Sequence, residues 1–252
     1  MLCRRYRNFD EMFNNLVVEI LTDPYSVMEY STGVCGYIDN MILFTDSWDC
    51  NIDLSKFGYK ENKWQKLLST YVDYEGLLQF REKIKTLSGL SYTYYFNRKK
   101  VHNGSCMIAV VLSRENRKLN WTKVNVLYRT TEIQRRFAAD LVLIHHFINE
   151  LPKDCCDIQK VSFYMPQSFI HAQVINGYFD YFGVSRDSLN YDHPWIRALK
   201  LSYNRSFQNR DKLSKFKQLY RMQRFAFGMV EYEPLRTKDL GIDKYFQGRK
   251  KK

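Results

Sequence analysis

Hydrophobic and polar positions alternate along this chain with periods that change several times. Residues 8–21 carry apolar side chains at helical spacing, which predicts an amphipathic N-terminal helix stopped by Asp23-Pro24. Residues 33–46, with Val34, Tyr37, Ile38, Met41, Leu43 and Phe44, read as a turn followed by a strand, and 48–59 as irregular. Residues 64–85 hold one or two helices, and Gly89 punctuates the start of a strand over 92–96. Two apolar runs, 108–112 and 124–128, read as paired strands joined by the polar loop 114–120, and a long apolar helix is expected over 138–151. A short strand over 161–164, ended by Pro166, is then expected to give way to a helix over 167–182 with Gly183 as its stop. The remainder reads as mostly helical to residue 225, followed by an apolar stretch at 229–232 and a polar tail.

No internal repeat, low-complexity block or flexible linker interrupts this order. The simplest organisation is one α+β domain, a mixed sheet packed with helices over 1–185, with a basic and mainly helical extension over 186–252.

Composition narrows the class. A hydrophobic content of 45% and an aromatic content of 16% argue against disorder. The best candidate membrane span, 137–151, is interrupted by Asp140, His145 and His146, so no membrane partner is expected. The charged start Met1-Leu2-Cys3-Arg4-Arg5 has no apolar stretch after it, unlike a secretory signal. Six cysteines show no zinc-ligand spacing, which suggests reduced thiols, a cytoplasmic protein and no metal.

The net charge of +12 is unevenly spread, since residues 186–252 hold seventeen Lys/Arg against seven Asp/Glu. Tyr203, Phe207, Phe216, Tyr220, Phe225 and Phe227 interleave with these cations. Cations pair with phosphates and rings stack on unpaired bases, so the segment suits a nucleic acid. The alternative is an amphipathic helix with a solvated basic face, because Leu213, Phe216, Leu219 and Tyr220 are helically spaced.

Candidate chemistry lies at the two central strands. Gly104-Ser105-Cys106 leads into the first, and Arg129-Thr130-Thr131-Glu132 follows the second. That order puts a thiol and a guanidinium at neighbouring strand ends, where a cation would favour the thiolate. The plainer reading of Cys106 is a small hydrophobe near a strand end, and of Arg129 and Glu132 a surface ion pair.

The ordered set of Cys106, Arg129-Thr130-Thr131-Glu132, Phe137 and the helix 138–151 resembles the thymidylate synthase and deoxycytidylate hydroxymethylase superfamily. Ser91-Tyr92-Thr93-Tyr94-Tyr95-Phe96-Asn97 is similar to the family's strand ahead of its cysteine loop, and the likeness covers roughly residues 75–185. The resemblance implies a thymidylate synthase-like fold and a homodimer. It also implies that Cys106 adds to C6 of a pyrimidine, and that Arg129 and Thr130 bind the substrate phosphate. Glu132 would then line the site, and Asp140 would read the base edge.

The departures matter as much. The arginines expected before the 92–96 strand are replaced by Ser88-Gly89-Leu90-Ser91, and Met107 stands where the family has histidine after the cysteine. Residues 166–171 lack the family's His-x-Tyr, and the insert that handles folate is missing. These losses point away from a free mononucleotide and from folate, with no other cofactor implied. The expected function is therefore a transferase acting on a 5-substituted deoxyuridine in DNA, adding an amine or amino acid after loss of a 5-methylene leaving group. The alternatives are folate-dependent methylation or hydroxymethylation of a deoxynucleotide monophosphate, and a catalytically inactive nucleic-acid-binding module.

Overall fold

The computed structural model describes residues 2–22, 26–30, 33–57, 59, 61–96, 106–117 and 119–171. The basic extension 186–252, the boundary at 185/186 and the cysteine approach Gly104-Ser105 lie outside the described residues.

In chain order the elements are β1 (Leu2–Tyr6), α1 (Phe9–Thr22), β2 (Ser26–Tyr30), β3 (Gly33–Thr45), α2 (Glu61–Tyr71), α3 (Tyr74–Thr86) and β4 (Ser91–Tyr95). They continue with β5 (Met107–Ser113), β6 (Trp121–Tyr128), β7 (Thr131–Glu132), α4 (Ala138–Asn149) and β8 (Cys156–His171). A short 3-10 turn, Leu54–Phe57, precedes α2, and a π-helical turn, Ile133–Phe137, leads into α4. The strands form one mixed sheet in the order β1-β3-β8-β6-β5-β4, with β2 paired to β3 and β7 to β8. The α+β class expected from the sequence is present.

The chain divides into two compact units, residues 1–15 with 39–168, and residues 16–38 with 169–252. In the second unit the described hairpin pairs Ser26 with Tyr37 and Tyr30 with Gly33 in antiparallel register. The first unit holds the candidate site.

Helix α1 begins where Asn8 Oδ1 accepts the Glu11 amide at 2.9 Å, while Glu11 Oε2 accepts the Arg7 amide. This is close to the reciprocal arrangement of a capping box. Phe9, Met12, Phe13, Leu16, Val17 and Ile20 are all buried, the stripe that helical periodicity requires. Helices α2 and α3 resolve the expected helical stretch 64–85 into two, separated at Val72 and Asp73.

The expected hairpin is present. β5 and β6 run antiparallel with Val110 opposite Val126, and β4 adds to β5 with Tyr94 opposite Val110. The register shifts between Met107 and Ala109, a bulge at the very start of β5. Such insertions bend a strand and re-aim its neighbours, and this one sits beside Cys106. One face of these strands is packed tight: Met107, Val110, Leu112, Val124, Val126 and Tyr128 are buried, as are Ala139, Leu143, Ile144 and Phe147 of α4. Two aromatic groups fill this core. Phe80, Tyr94, Phe96 and Phe147 meet at centroid distances of 5.3–6.3 Å, and Phe137 lies 5.8 Å from Phe163 and 6.3 Å from Tyr128.

Several features depart from the sequence-based expectation, the short strands β2 and β7 among them. The strand β1 is unforeseen, being five residues whose polar centre, Cys3-Arg4-Arg5, pairs in parallel with β3. The short strand 161–164 is in fact part of β8, which runs from Cys156 to His171 and passes through Pro166. Consequently the helix expected over 167–182 does not start at 167, and its remainder beyond His171 lies outside the described residues. Pro166 falls two residues past Tyr164, the last β8 residue registered against β6, so its missing N–H costs no bond to that strand.

Candidate functional site

Cys106 immediately precedes β5 and Arg129 immediately follows β6. The Arg129 amide donates to the Cys106 carbonyl at 2.8 Å, and Met107 faces Tyr128 in the register. The neighbouring strand ends inferred from spacing are therefore real neighbours, fixed by the hairpin ladder.

The amide of Cys106 donates to the Tyr71 hydroxyl at 3.1 Å. Tyr71 is the last residue of α2, so this bond ties the thiol-bearing backbone to a helix end thirty-five positions earlier. Glu132 of β7, Arg136 of the π turn and Asp140 of α4 are also near enough to act on the thiol. Arg136 Nε lies 3.7 Å from Glu132 Oε2, a long ion pair at i,i+4 spacing. Asp140 is 2% exposed and Glu132 6% exposed, unusual burial for carboxylates. A π-helical turn offsets the side chains that follow by one residue, and such turns are frequent at functional sites.

The electrostatics follow from burial. Burial pushes the Asp140 carboxyl up to about 8, with Arg136 and the Tyr128 hydroxyl working against it. The Tyr128 hydroxyl and Asp140 Oδ2 are both buried and neither makes a well-formed hydrogen bond among the described residues. They are still near enough for each to shift the other's proton affinity. The Thr131 hydroxyl is likewise buried without a hydrogen bond. Burial also raises Tyr71 and Tyr128 far above the usual phenol range.

For Cys106 the balance differs from the expectation that a cation would lower its pKa. Burial and Asp140 raise the thiol to about 11, and two cations, Arg136 and then Arg129, pull it down by less. The thiol is protonated at neutral pH in this state. Arg136 feels the reverse side of the same cluster: burial lowers its pKa, but Cys106, Glu132 and Tyr71 raise it further.

The structure thus brings together three of the residues chosen from sequence, Cys106, Glu132 and Asp140, with the main chain of Arg129. The Arg129 residue is exposed, and Thr130 is half-buried beside it. It adds three residues that sequence reading missed. Arg136 had a usable signal, its i,i+4 spacing from Glu132. Tyr128 had a weaker one, as the residue before Arg129. Tyr71 had none, since only the packing of α2 brings it to the cysteine. Among the described residues no group of three or more His, Cys, Asp or Glu could hold a metal ion.

The chain matches no known family model, and no curated protein is significantly similar to it. The site must therefore be judged on its chemistry: a buried thiol, two guanidinium groups that favour its anion, two buried carboxylates, and two buried phenols.

Proposed function

We propose that the chain is a thymidylate synthase-like transferase that modifies C5 of a pyrimidine, with Cys106 as the nucleophile adding to C6. The observation that carries this reading is the Cys106–Arg129 juxtaposition at paired strand ends, with the buried carboxylates Asp140 and Glu132 near enough to act on the thiol. Sulfur addition to C6 places electron density on C5. When C5 bears a methylene with a leaving group, that group departs and an exocyclic methylene forms. An amine or amino acid adds to the methylene and loses its proton, and expulsion of the Cys106 thiolate restores the ring. The thiol has to shed its proton as sulfur adds, and Arg136 and Arg129 are the groups that favour the anion.

Glu132 and Asp140 face the ring in this scheme, and Arg129 with Thr130 meets a phosphate. A deoxyuridine within DNA is the preferred substrate, because the sequence lacks the arginines and the sugar clamp a monophosphate needs, and because residues 186–252 are strongly basic. The base has to be unpaired or flipped out to reach a buried thiol. No cofactor is required. A cytoplasmic homodimer fits the reading. The sheet face opposite the core carries Arg5, Phe44, Lys123, Asn125, Lys160 and Ser162 around a shallow depression of about 330 Å³, a surface on which a second copy could pack.

The test is the intact mass of the protein after incubation with a 5-fluoropyrimidine, supplied as a mononucleotide or within single-stranded DNA. An adduct with the oligonucleotide that Cys106→Ala abolishes is expected. An adduct with the mononucleotide alone would move the substrate to free nucleotides. An adduct that survives in Cys106→Ala would remove the cysteine from the mechanism.

A further inference from the structure

Cys155 ends the turn between α4 and β8 and Cys156 is the first residue of β8, both apart from the Cys106 cluster and unused by the chemistry proposed there. Their Sγ atoms are 3.9 Å apart. This turn is held by main-chain bonds. The Pro152 carbonyl accepts from the Cys156 amide at 3.0 Å and from the Cys155 amide at 3.4 Å, and the Trp121 amide donates to the Cys155 carbonyl at 2.9 Å. Cys156 is also registered opposite Trp121, the first residue of β6. Trp121 is itself fixed, because its indole N–H donates to the Ile84 carbonyl at 3.0 Å and the Arg114 guanidinium stacks on its ring at 4.2 Å. Both thiols are half-buried, so they are ordered yet reachable.

Two sulfurs so placed could join each other or share a third atom, and geometry separates the two outcomes. Adjacent Cα atoms lie about 3.8 Å apart across a trans peptide. Ordinary disulfides need Cα atoms about 4.4–6.8 Å apart, so a direct Cys155–Cys156 bond is strained. It would also pull Cys156 out of register with Trp121. A bridging atom bonded to both sulfurs asks for no such movement, since the sulfurs keep a separation wider than a bond to each other. Burial raises the pKa of both thiols; Lys85 and Arg114 pull Cys155 down by less than burial raises it, and no cation offsets the rise at Cys156, so neither is primed to react alone.

We propose that Cys155 and Cys156 form a preorganised dithiol site that chelates a thiophilic centre of the trivalent arsenical class. In the binding step each S–H gives up its proton, two arsenic–sulfur bonds form, and the oxide oxygen of the arsenical leaves as water. No oxidant or reductant takes part.

The probe is phenylarsine oxide, added to the full-length protein in excess monothiol and followed by intact mass and tryptic mapping. One phenylarsenic group bridging the peptide 154–160 is expected, resistant to monothiol and removed by a dithiol such as 2,3-dimercaptopropanol. Cys155→Ser and Cys156→Ser should each lose the monothiol-resistant adduct, while Cys106→Ala keeps it. An adduct on another peptide, or one that excess monothiol removes from the wild-type chain, would overturn the proposal without any variant having to fold. A disulfide within 154–160 after exposure to glutathione disulfide would overturn the geometric argument, whose expected result is that this peptide stays reduced.

Discussion

The Arg129 amide donates to the Cys106 carbonyl at 2.8 Å, so the candidate nucleophile and the candidate phosphate-binding residue are joined through main chain. Their proximity belongs to the β5–β6 ladder and does not depend on either side chain. Replacing Arg129 by alanine should therefore leave the fold in place, with a stability change within about 0.5 kcal/mol, as at most exposed positions. Chemical denaturation measures this, and a loss above 2 kcal/mol would show that the guanidinium has a structural role.

The thiol's proton affinity sets its reactivity. With Cys106 raised to about 11, roughly one molecule in 10⁴ carries the thiolate at pH 7. Alkylation of Cys106 by iodoacetamide, read by peptide mapping, should rise about tenfold per pH unit between pH 7 and 10. Arg136→Gln should slow this reaction by roughly three- to tenfold, more than Arg129→Gln does, since Arg136 is the stronger of the two influences on the thiol. Equal rates in the two variants would return the leading role to Arg129.

Asp140 makes stability depend on pH. Its folded pKa of about 8 lies above the ordinary value of 3.8, so the folded state holds the proton more tightly than the unfolded chain. Its contribution is complete below about pH 4, declines as pH rises and is gone above about pH 8, with a slope of at most about 1.4 kcal/mol per pH unit. Asp140→Asn should flatten the unfolding free energy across this window. An unchanged slope in the variant would place the titration elsewhere.

Tyr71 holds the cysteine backbone from outside the sheet. Tyr71→Phe leaves the buried Cys106 amide without its acceptor, an expected cost of about 1–3 kcal/mol. A lowered denaturation midpoint with an unchanged m-value would confirm it. A neutral substitution would mean that water takes the place of the hydroxyl.

Trp121 anchors β6. It is fully buried and bonded to the Ile84 carbonyl, so Trp121→Ala should cost about 3–5 kcal/mol. Trp121→Phe, which keeps most of the ring but loses the donor, should cost about 1–3 kcal/mol. The two variants separate packing from hydrogen bonding in one thermal series.

Much of the fold was legible in the sequence because its main signals are local. The helical stripe that starts at Phe9, the apolar strands around Val110 and Val126 and the helix after Phe137 each follow from periodicity within about a dozen residues. Order along the chain was also enough to put Cys106 beside Arg129, since a short antiparallel hairpin leaves few other placements. Two kinds of feature needed the tertiary structure. The polar β1 and the run of β8 through Pro166 depend on sheet neighbours, which local pattern does not encode. Tyr71 and the charge balance at Cys106 depend on burial. A cysteine next to an arginine reads as an activated thiol in the sequence, yet desolvation and Asp140 outweigh both guanidinium groups once the chain is packed.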